Sequence, residues 1–98
     1  MPFVCKTSDI KPGQLKAIEV DGIIVTVANV DGTFYAFSDE CTHGGCSLSQ
    51  GDLWGTVINC PCHGGQFEMT TGEAIGGPVF DPITVYPVVV NGDELRIG

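Results

Sequence analysis

Short runs of apolar and β-branched residues, separated by polar turn signals that contain glycine, extend over most of the 98-residue chain. Val, Ile, Thr, Phe and Tyr dominate these runs, and no stretch repeats apolar residues with the 3.6-residue period of a helix. The pattern therefore predicts an antiparallel all-β sandwich or small barrel. The predicted strands are QLKAIEV, IIVTVANV, TFYAFS, GTVINC, GQFEMT, ITVYPVVV and ELRI.

Three dipeptides mark turns between these strands, namely Asp21-Gly22, Asp31-Gly32 and Asn91-Gly92. Glycine accepts a positive φ, so such pairs favour tight hairpins. Pro87 interrupts the last long run, and because proline donates no ladder hydrogen bond it predicts an edge strand or a bulge. No linker, internal repeat or low-complexity tract divides the chain, so we expect one domain over residues 1–98.

The composition is that of a small globular protein, since 43% of the residues are hydrophobic. A chain of this size often depends on a metal or a disulfide for stability. No apolar run approaches the roughly 20 residues of a membrane span. The N-terminus lacks the features of a secretory signal, so we expect a soluble, cytoplasmic protein.

The charge distribution is uneven. The net charge is -8, and no Lys or Arg occurs between Ala17 and Leu95. Such a surface repels phosphate backbones and anionic lipids, so nucleic acid and membrane are not expected partners. A basic protein surface would be its electrostatic complement. The alternative is that the acidic residues serve only to keep a small protein in solution.

Two loop-like stretches, ECTHGGCSLSQG and NCPCHGGQ, hold both histidines and four of the five cysteines. A disulfide framework would predict no particular position for histidine, whereas here each histidine lies within a cysteine pattern. The residues therefore indicate a metal site, for which structural Cys2His2 zinc is the generic candidate. The four candidate ligands are Cys41, His43, Cys60 and His63, and the additional cysteines are Cys46 and Cys62.

Cys-Thr-His followed by Cys-Pro-Cys-His-Gly resembles the signature of Rieske iron–sulfur proteins, and the resemblance extends over the whole chain. It implies that Cys41 and Cys60 bind one iron of a [2Fe–2S] cluster, and that His43 and His63 bind the other. It also implies a Rieske fold, in which a base β-sandwich or barrel carries a small cluster-binding subdomain of two loops. We expect that subdomain at about residues 38–80.

The additional cysteines and the neighbours of the second motif give opposite indications about the reduction potential. Cys46 and Cys62 resemble a pair that bridges the two loops in high-potential relatives. The resemblance implies a disulfide, whereas two reduced thiols would suit a reducing cytoplasm. High-potential relatives carry hydroxyl groups at the places of Gly65 and Phe67, so their absence predicts a low potential. Asp39 and Glu40 would lower it further, although exposure to solvent would screen them.

The resemblance is closest to the ferredoxins of bacterial ring-hydroxylating dioxygenases. It implies a monomeric one-electron carrier between a flavin-dependent reductase and a terminal aromatic-ring oxygenase. The chain would not be an enzyme, since its two histidines serve the cluster and leave no 2-His-1-carboxylate site. The alternatives are a small subunit of a nitrite-reductase-like complex and a structural zinc module.

Several residues outside the ligand set have structural interpretations. Cys5, in a strand-like segment, is expected to be buried as a small hydrophobic residue. Phe67 and Met69 are expected to pack in the core. Trp54 is also assigned to packing, with an exposed hairpin tip as the alternative. Leu48 would either shield the cluster or belong to the ordinary core.

Overall fold

The computed structural model describes residues 3–20, 22–39, 47–61, 65–76 and 82–97. These residues form antiparallel strands and two short 3-10 turns, Thr7–Asp9 and Leu48–Gln50. The all-β prediction is confirmed. The strands are β1 (Phe3–Lys6), β2 (Leu15–Val20), β3 (Ile23–Val30), β4 (Thr33–Ser38), β5 (Asp52–Trp54), β6 (Val57–Asn59), β7 (Gln66–Glu68), β8 (Ala74–Gly76), β9 (Val85–Tyr86), β10 (Val88–Asn91) and β11 (Glu94–Ile97).

The strands form three sheets. The outer sheet has the order β1-β11-β10, the central sheet β2-β3-β4-β9, and the third sheet β5-β6-β7-β8. The third sheet carries the second motif at the turn between β6 and β7, and we call it the loop-bearing sheet.

Strand β3 of the central sheet is buried from Val25 to Asn29, which explains why it is an almost continuous apolar run. Val25 and Val27 pack with Leu95 of the outer sheet in one core. Ala28 and Phe37 pack in a second core, against Ile58, Phe67 and other residues of the loop-bearing sheet and its loops. The second core also contains Leu48 from the first motif stretch and Cys60 from the second.

The hairpins form at the predicted dipeptides. Asp31 and Gly32 have φ values of 51° and 90°, and two successive positive φ values are the mark of a type I′ turn. Gly92 has a φ of 68° at the first central position between the paired residues Asn91 and Glu94. That position is where a type II′ turn requires glycine.

Pro87 separates β9 from β10, and these two strands belong to different sheets. Each is the edge strand of its sheet, so the predicted edge position is confirmed. The residue that cannot donate to a ladder marks the point where the chain passes from the central sheet to the outer sheet.

Burial confirms most packing predictions and contradicts one. Cys5, Leu48, Phe67 and Met69 are buried, whereas Trp54 is 63% exposed. Trp54 ends β5 at the turn into β6, so the alternative of an exposed hairpin tip is the correct one. Within the residues that the structure describes, no helix is long and apolar enough to cross a membrane.

Candidate metal centre

The second motif begins where strand β6 ends. Cys60 follows Asn59, is 3% exposed, and packs in the core with Ile58 and Phe67. Its backbone N–H donates a hydrogen bond of 2.7 Å to the carbonyl oxygen of Gly65. This hydrogen bond closes the β6–β7 connection, whose residues Cys62 and His63 lie outside the described residues.

Asp39 joins the two ends of the loop that contains the first motif. It directly follows Ser38, the last residue of strand β4. The Leu48 N–H donates to the Asp39 carbonyl oxygen at 2.6 Å. The Asp39 carboxylate oxygen Oδ1 accepts a hydrogen bond of 2.9 Å from the Ser49 N–H and one of 2.6 Å from the Thr26 hydroxyl. The residues on either side of the segment 40–47, which contains Cys41 and His43, are therefore hydrogen-bonded to each other.

Asp39 is only 7% exposed, which contradicts the expectation that solvent screens its charge. Burial by itself would raise the pKa of this carboxyl. Hydrogen bonds donated by Thr26, Ser49 and Ser47 outweigh that effect and hold the pKa of Asp39 below its ordinary value. The side chain is therefore a buried carboxylate at neutral pH.

The two motif loops share one core. Leu48, at the end of the first loop, and Cys60, at the start of the second, both belong to the cluster of buried residues that contains Phe37 and Phe67. Leu48 is fully buried and packs in this core. Because Leu48 and Cys60 pack in the same core, movement of either residue would disturb the packing of the other.

Of the four predicted ligands, the structure describes Cys60, which follows the end of strand β6. Cys41, His43 and His63 lie outside the described residues, as do Cys46, Cys62 and Glu40. In the described part of the chain, no three His, Cys, Asp or Glu side chains come together as a metal site.

The described residues fit a [2Fe–2S] cluster. A cysteine at the boundary between a packed core and a glycine-rich loop supplies the soft thiolate that iron–sulfur clusters require. Gly65 and Phe67 are both buried beside it, so two positions without hydroxyl groups flank the end of the second loop. Sequence reasoning missed the anchoring residues Asp39, Thr26 and Ser49, since nothing in a sequence marks an acidic residue as buried.

Comparison with known proteins identifies the class. A model of the Rieske [2Fe–2S] domain matches residues 1–87. The chain therefore belongs to the Rieske [2Fe–2S] family. It has a Rieske-type [2Fe–2S] cluster, and it is a one-electron carrier rather than an enzyme.

Within that family the chain is similar to dioxygenase ferredoxins. The ferredoxin subunit of 3-phenylpropionate/cinnamic acid dioxygenase from Shigella boydii is 38% identical over 97% of this chain and 90% of its own length. The ferredoxin of Sphingomonas yanoikuyae B1 has a TM-score of 0.92 at 35% identity, covering 98% of this chain and 95% of that one. A chain from a complex of reduced oxygenase and oxidized ferredoxin in carbazole 1,9a-dioxygenase has a TM-score of 0.92 at 40% identity, covering 98% and 90%.

Proposed function

We propose that this protein carries single electrons from a flavin-dependent reductase to the terminal oxygenase of an aromatic-ring dioxygenase system. The observation that carries the proposal is similarity over nearly the full length to a dioxygenase ferredoxin subunit. A further similar structure belongs to a complex between an oxygenase and a ferredoxin. The protein would act in the cytoplasm as a monomer, with no nucleic acid or membrane partner.

The proposed ligands are Cys41 and Cys60 for one iron, and His43 and His63 for the other. Their loops would form a cluster-binding part at about residues 38–80 of one domain over residues 1–98. The bound cluster supplies reversible one-electron transfer. The chain orients the ligands through the two loop closures, at Asp39 and at the Cys60–Gly65 hydrogen bond.

The reduction potential tests this assignment against its alternatives. We expect a midpoint near or below about -100 mV at neutral pH, since Gly65 and Phe67 supply no hydroxyl donors and the family spans roughly -150 to +300 mV. Voltammetry of the holoprotein measures it directly. A value well above zero would contradict the dioxygenase assignment and favour a quinol or cytochrome partner. A colourless protein containing zinc would contradict the cluster ligands.

Electron delivery tests the partner. The chemically reduced holoprotein would be mixed anaerobically with the terminal oxygenase of a ring-hydroxylating system whose own ferredoxin is omitted. Reoxidation of the carrier, with reduction of the oxygenase at the same rate, is the expected result. A carrier that stays reduced with several such oxygenases, yet exchanges electrons with a nitrite-reductase-type complex, would overturn the proposal.

Cys46 and Cys62 are proposed to form a disulfide that joins the two ligand loops. Alkylation of the intact holoprotein, with and without reductant, counts the available thiols. We expect two additional modified cysteines only after reduction. Two additional modified cysteines in the untreated sample would show that the pair is reduced.

A further inference from the structure

The segment from residue 40 to residue 47 is flanked by residues that are hydrogen-bonded to each other. Asp39 precedes it, and Leu48 and Ser49 follow it. The backbone carbonyl oxygen of Asp39 accepts a hydrogen bond from the Leu48 N–H, and its carboxylate accepts one from the Ser49 N–H. The loop therefore closes on Asp39 rather than on a regular strand ladder.

The carboxylate is in turn hydrogen-bonded to a buried residue of the central sheet. Its second donor is the hydroxyl of Thr26, which is 0% exposed in strand β3. Thr26 pairs with Ala17 of β2 on one side and with Phe37 of β4 on the other. A side chain hydrogen-bonded to a fully buried residue of strand β3 has little freedom to move.

We propose that Asp39 is a positioning residue that fixes the loop carrying Cys41 and His43 against the central sheet, and so holds these ligands in register with Cys60. The inference rests on the ligand assignment made above. The hydrogen bonds of Asp39 go to Thr26 in the base and to Leu48 and Ser49 at the end of the loop, so it would act through the ligands that it places. Leu48 extends the effect, because the chain held by Asp39 inserts this side chain into the core that also contains Cys60.

Two replacements of Asp39 separate the effect of its hydrogen bonds from the effect of its charge. Alanine removes both, whereas asparagine removes only the charge. Asp39→Ala leaves the partly buried Ser49 N–H and the buried Thr26 hydroxyl without their acceptor. Both hydrogen bonds end on the same oxygen, Oδ1. An asparagine Oδ1 can therefore accept both, and the hydroxyls of Ser47 and Ser49 can accept from its amide nitrogen.

Asn29→Ala is the matched control. Asn29 lies in the same strand as Thr26 and is 4% exposed. Its side chain also makes two hydrogen bonds with the backbone, of 2.8 Å to the Ile10 carbonyl oxygen and of 2.7 Å from the Gly32 N–H. These bonds hold the β3–β4 hairpin end of the base. The control therefore loses comparable buried hydrogen bonds far along β3 from the ligand loop.

The experiment measures cluster release from each holoprotein by the decay of visible absorbance in the presence of an iron chelator. The visible circular dichroism of the cluster is recorded before release, and the thermal unfolding midpoint is recorded in parallel. We expect about tenfold faster release from Asp39→Ala than from Asn29→Ala, together with an altered visible spectrum. Asp39→Asn should keep release and spectrum within about twofold of the unsubstituted protein. Thr26→Val should fall between these limits.

Equal release rates and unchanged spectra for Asp39→Ala and Asn29→Ala would overturn the inference, since Asp39 would then contribute only to general stability. Faster release from Asp39→Asn than from Asp39→Ala would also overturn it. If Asp39→Ala yields no holoprotein, Thr26→Val against Asn29→Ala decides by the same criterion. An unsubstituted protein without a Rieske spectrum would instead contradict the proposed ligand set, so the two failures are distinct.

Discussion

Among single residues, Trp54 and Asp39 differ most from what their residue types suggest. A tryptophan in a small β-domain is expected in the core, yet Trp54 is 63% exposed at a hairpin tip. An aspartate beside a loop is expected in solvent, yet Asp39 is 7% exposed and hydrogen-bonded. Residue type alone does not determine burial at a strand end, because the neighbouring sheets decide it.

Replacement of Trp54 by alanine should change the free energy of unfolding by less than about 0.5 kcal/mol, as for other surface positions. Met69→Ala is the buried counterpart in the same sheet region, and its side chain is 1% exposed. That change should cost about 2–5 kcal/mol, because it removes core contacts and leaves a cavity. Chemical denaturation of both holoproteins measures the difference. Comparable losses would mean that Trp54 packs against the fold in solution.

The sequence predicts which residues could bind a metal, but not which residues hold their loops in place. The spacing of Cys41, His43, Cys60 and His63 indicates a metal site without any structure, because both histidines lie within cysteine patterns. The anchors of the loops could not be inferred in the same way. Asp39 and Thr26 are 13 positions apart, and their hydrogen bond exists only because β3 and β4 pair.

At the scale of elements, turn chemistry predicted more of the fold than strand composition did. Asp31-Gly32 and Asn91-Gly92 mark real hairpins, since their backbone geometry demands such residues. The strands Asp52–Trp54 and Ala74–Gly76 were not predicted. Each has three residues, which is too few to show a period of two, and each forms because a neighbouring strand offers hydrogen bonds.

Gly72, between β7 and β8, should tolerate replacement by alanine poorly. Its φ is 83°, and an added Cβ would overlap the carbonyl oxygen of Ile83. Gly72→Ala should therefore cost about 2–4 kcal/mol of folding free energy, combining backbone strain with displacement of the chain at Ile83. Denaturant titration of the variant measures this loss.

Gly55→Ala is the control for that comparison. Gly55 also has a positive φ, of 61°, but nothing lies within 4 Å of an added Cβ. It should lose only the cost of the left-handed conformation, about 1–2 kcal/mol. Equal losses at the two positions would show that the contact with Ile83 has no energetic weight.

Glu68 accepts hydrogen bonds from Thr56 and Thr70 at the end of the loop-bearing sheet that lies away from Cys60. Part of the protein's stability should therefore depend on pH. Partial burial would raise the pKa of its carboxyl, but hydrogen bonds from the Thr56 hydroxyl and from Thr70 outweigh this and hold the pKa below its ordinary value of 4.5. A depressed folded-state pKa stabilises the protein above the unfolded-state value. That contribution is lost as pH falls through the folded-state pKa.

Glu68→Gln tests the sign of this effect. The unsubstituted protein should be more stable than the variant above pH 4.5, by less than about 1 kcal/mol because solvent screens the site. The difference should shrink at lower pH. Unfolding free energies of both proteins between pH 4 and pH 7 give the comparison. A difference that grows as pH falls would contradict the assigned hydrogen bonds.

At the scale of the whole molecule, charge separates the base from the ligand end. The four Lys and Arg residues lie in or just after β1, in β2 and in β11, and Arg96 pairs with Glu94 at 2.9 Å. The sequence from Ala17 to Leu95, which includes both ligand loops, contains no Lys or Arg. If docking proceeds through those loops, a partner surface near them should be basic, and association should slow as salt is added.

Asp52 and Glu73 can show which part of the surface steers the partner, because they lie at opposite ends of the loop-bearing sheet. Both are exposed, but Asp52 pairs with Asn59 beside Cys60, whereas Glu73 lies in the turn at the opposite end of the loop-bearing sheet. The strand length between these ends is roughly 10 Å, comparable with the screening length at about 0.1 M salt.

Asp52→Asn should therefore slow association with the oxygenase by roughly two- to threefold at low ionic strength, and Glu73→Gln by clearly less. Stopped-flow electron transfer, measured under second-order conditions at several salt concentrations, gives both rates. The two variants have the same net charge, so the total charge of the protein cannot produce a difference between them. Equal slowing would mean that the partner senses only the overall charge, and no salt dependence would remove steering from the mechanism altogether.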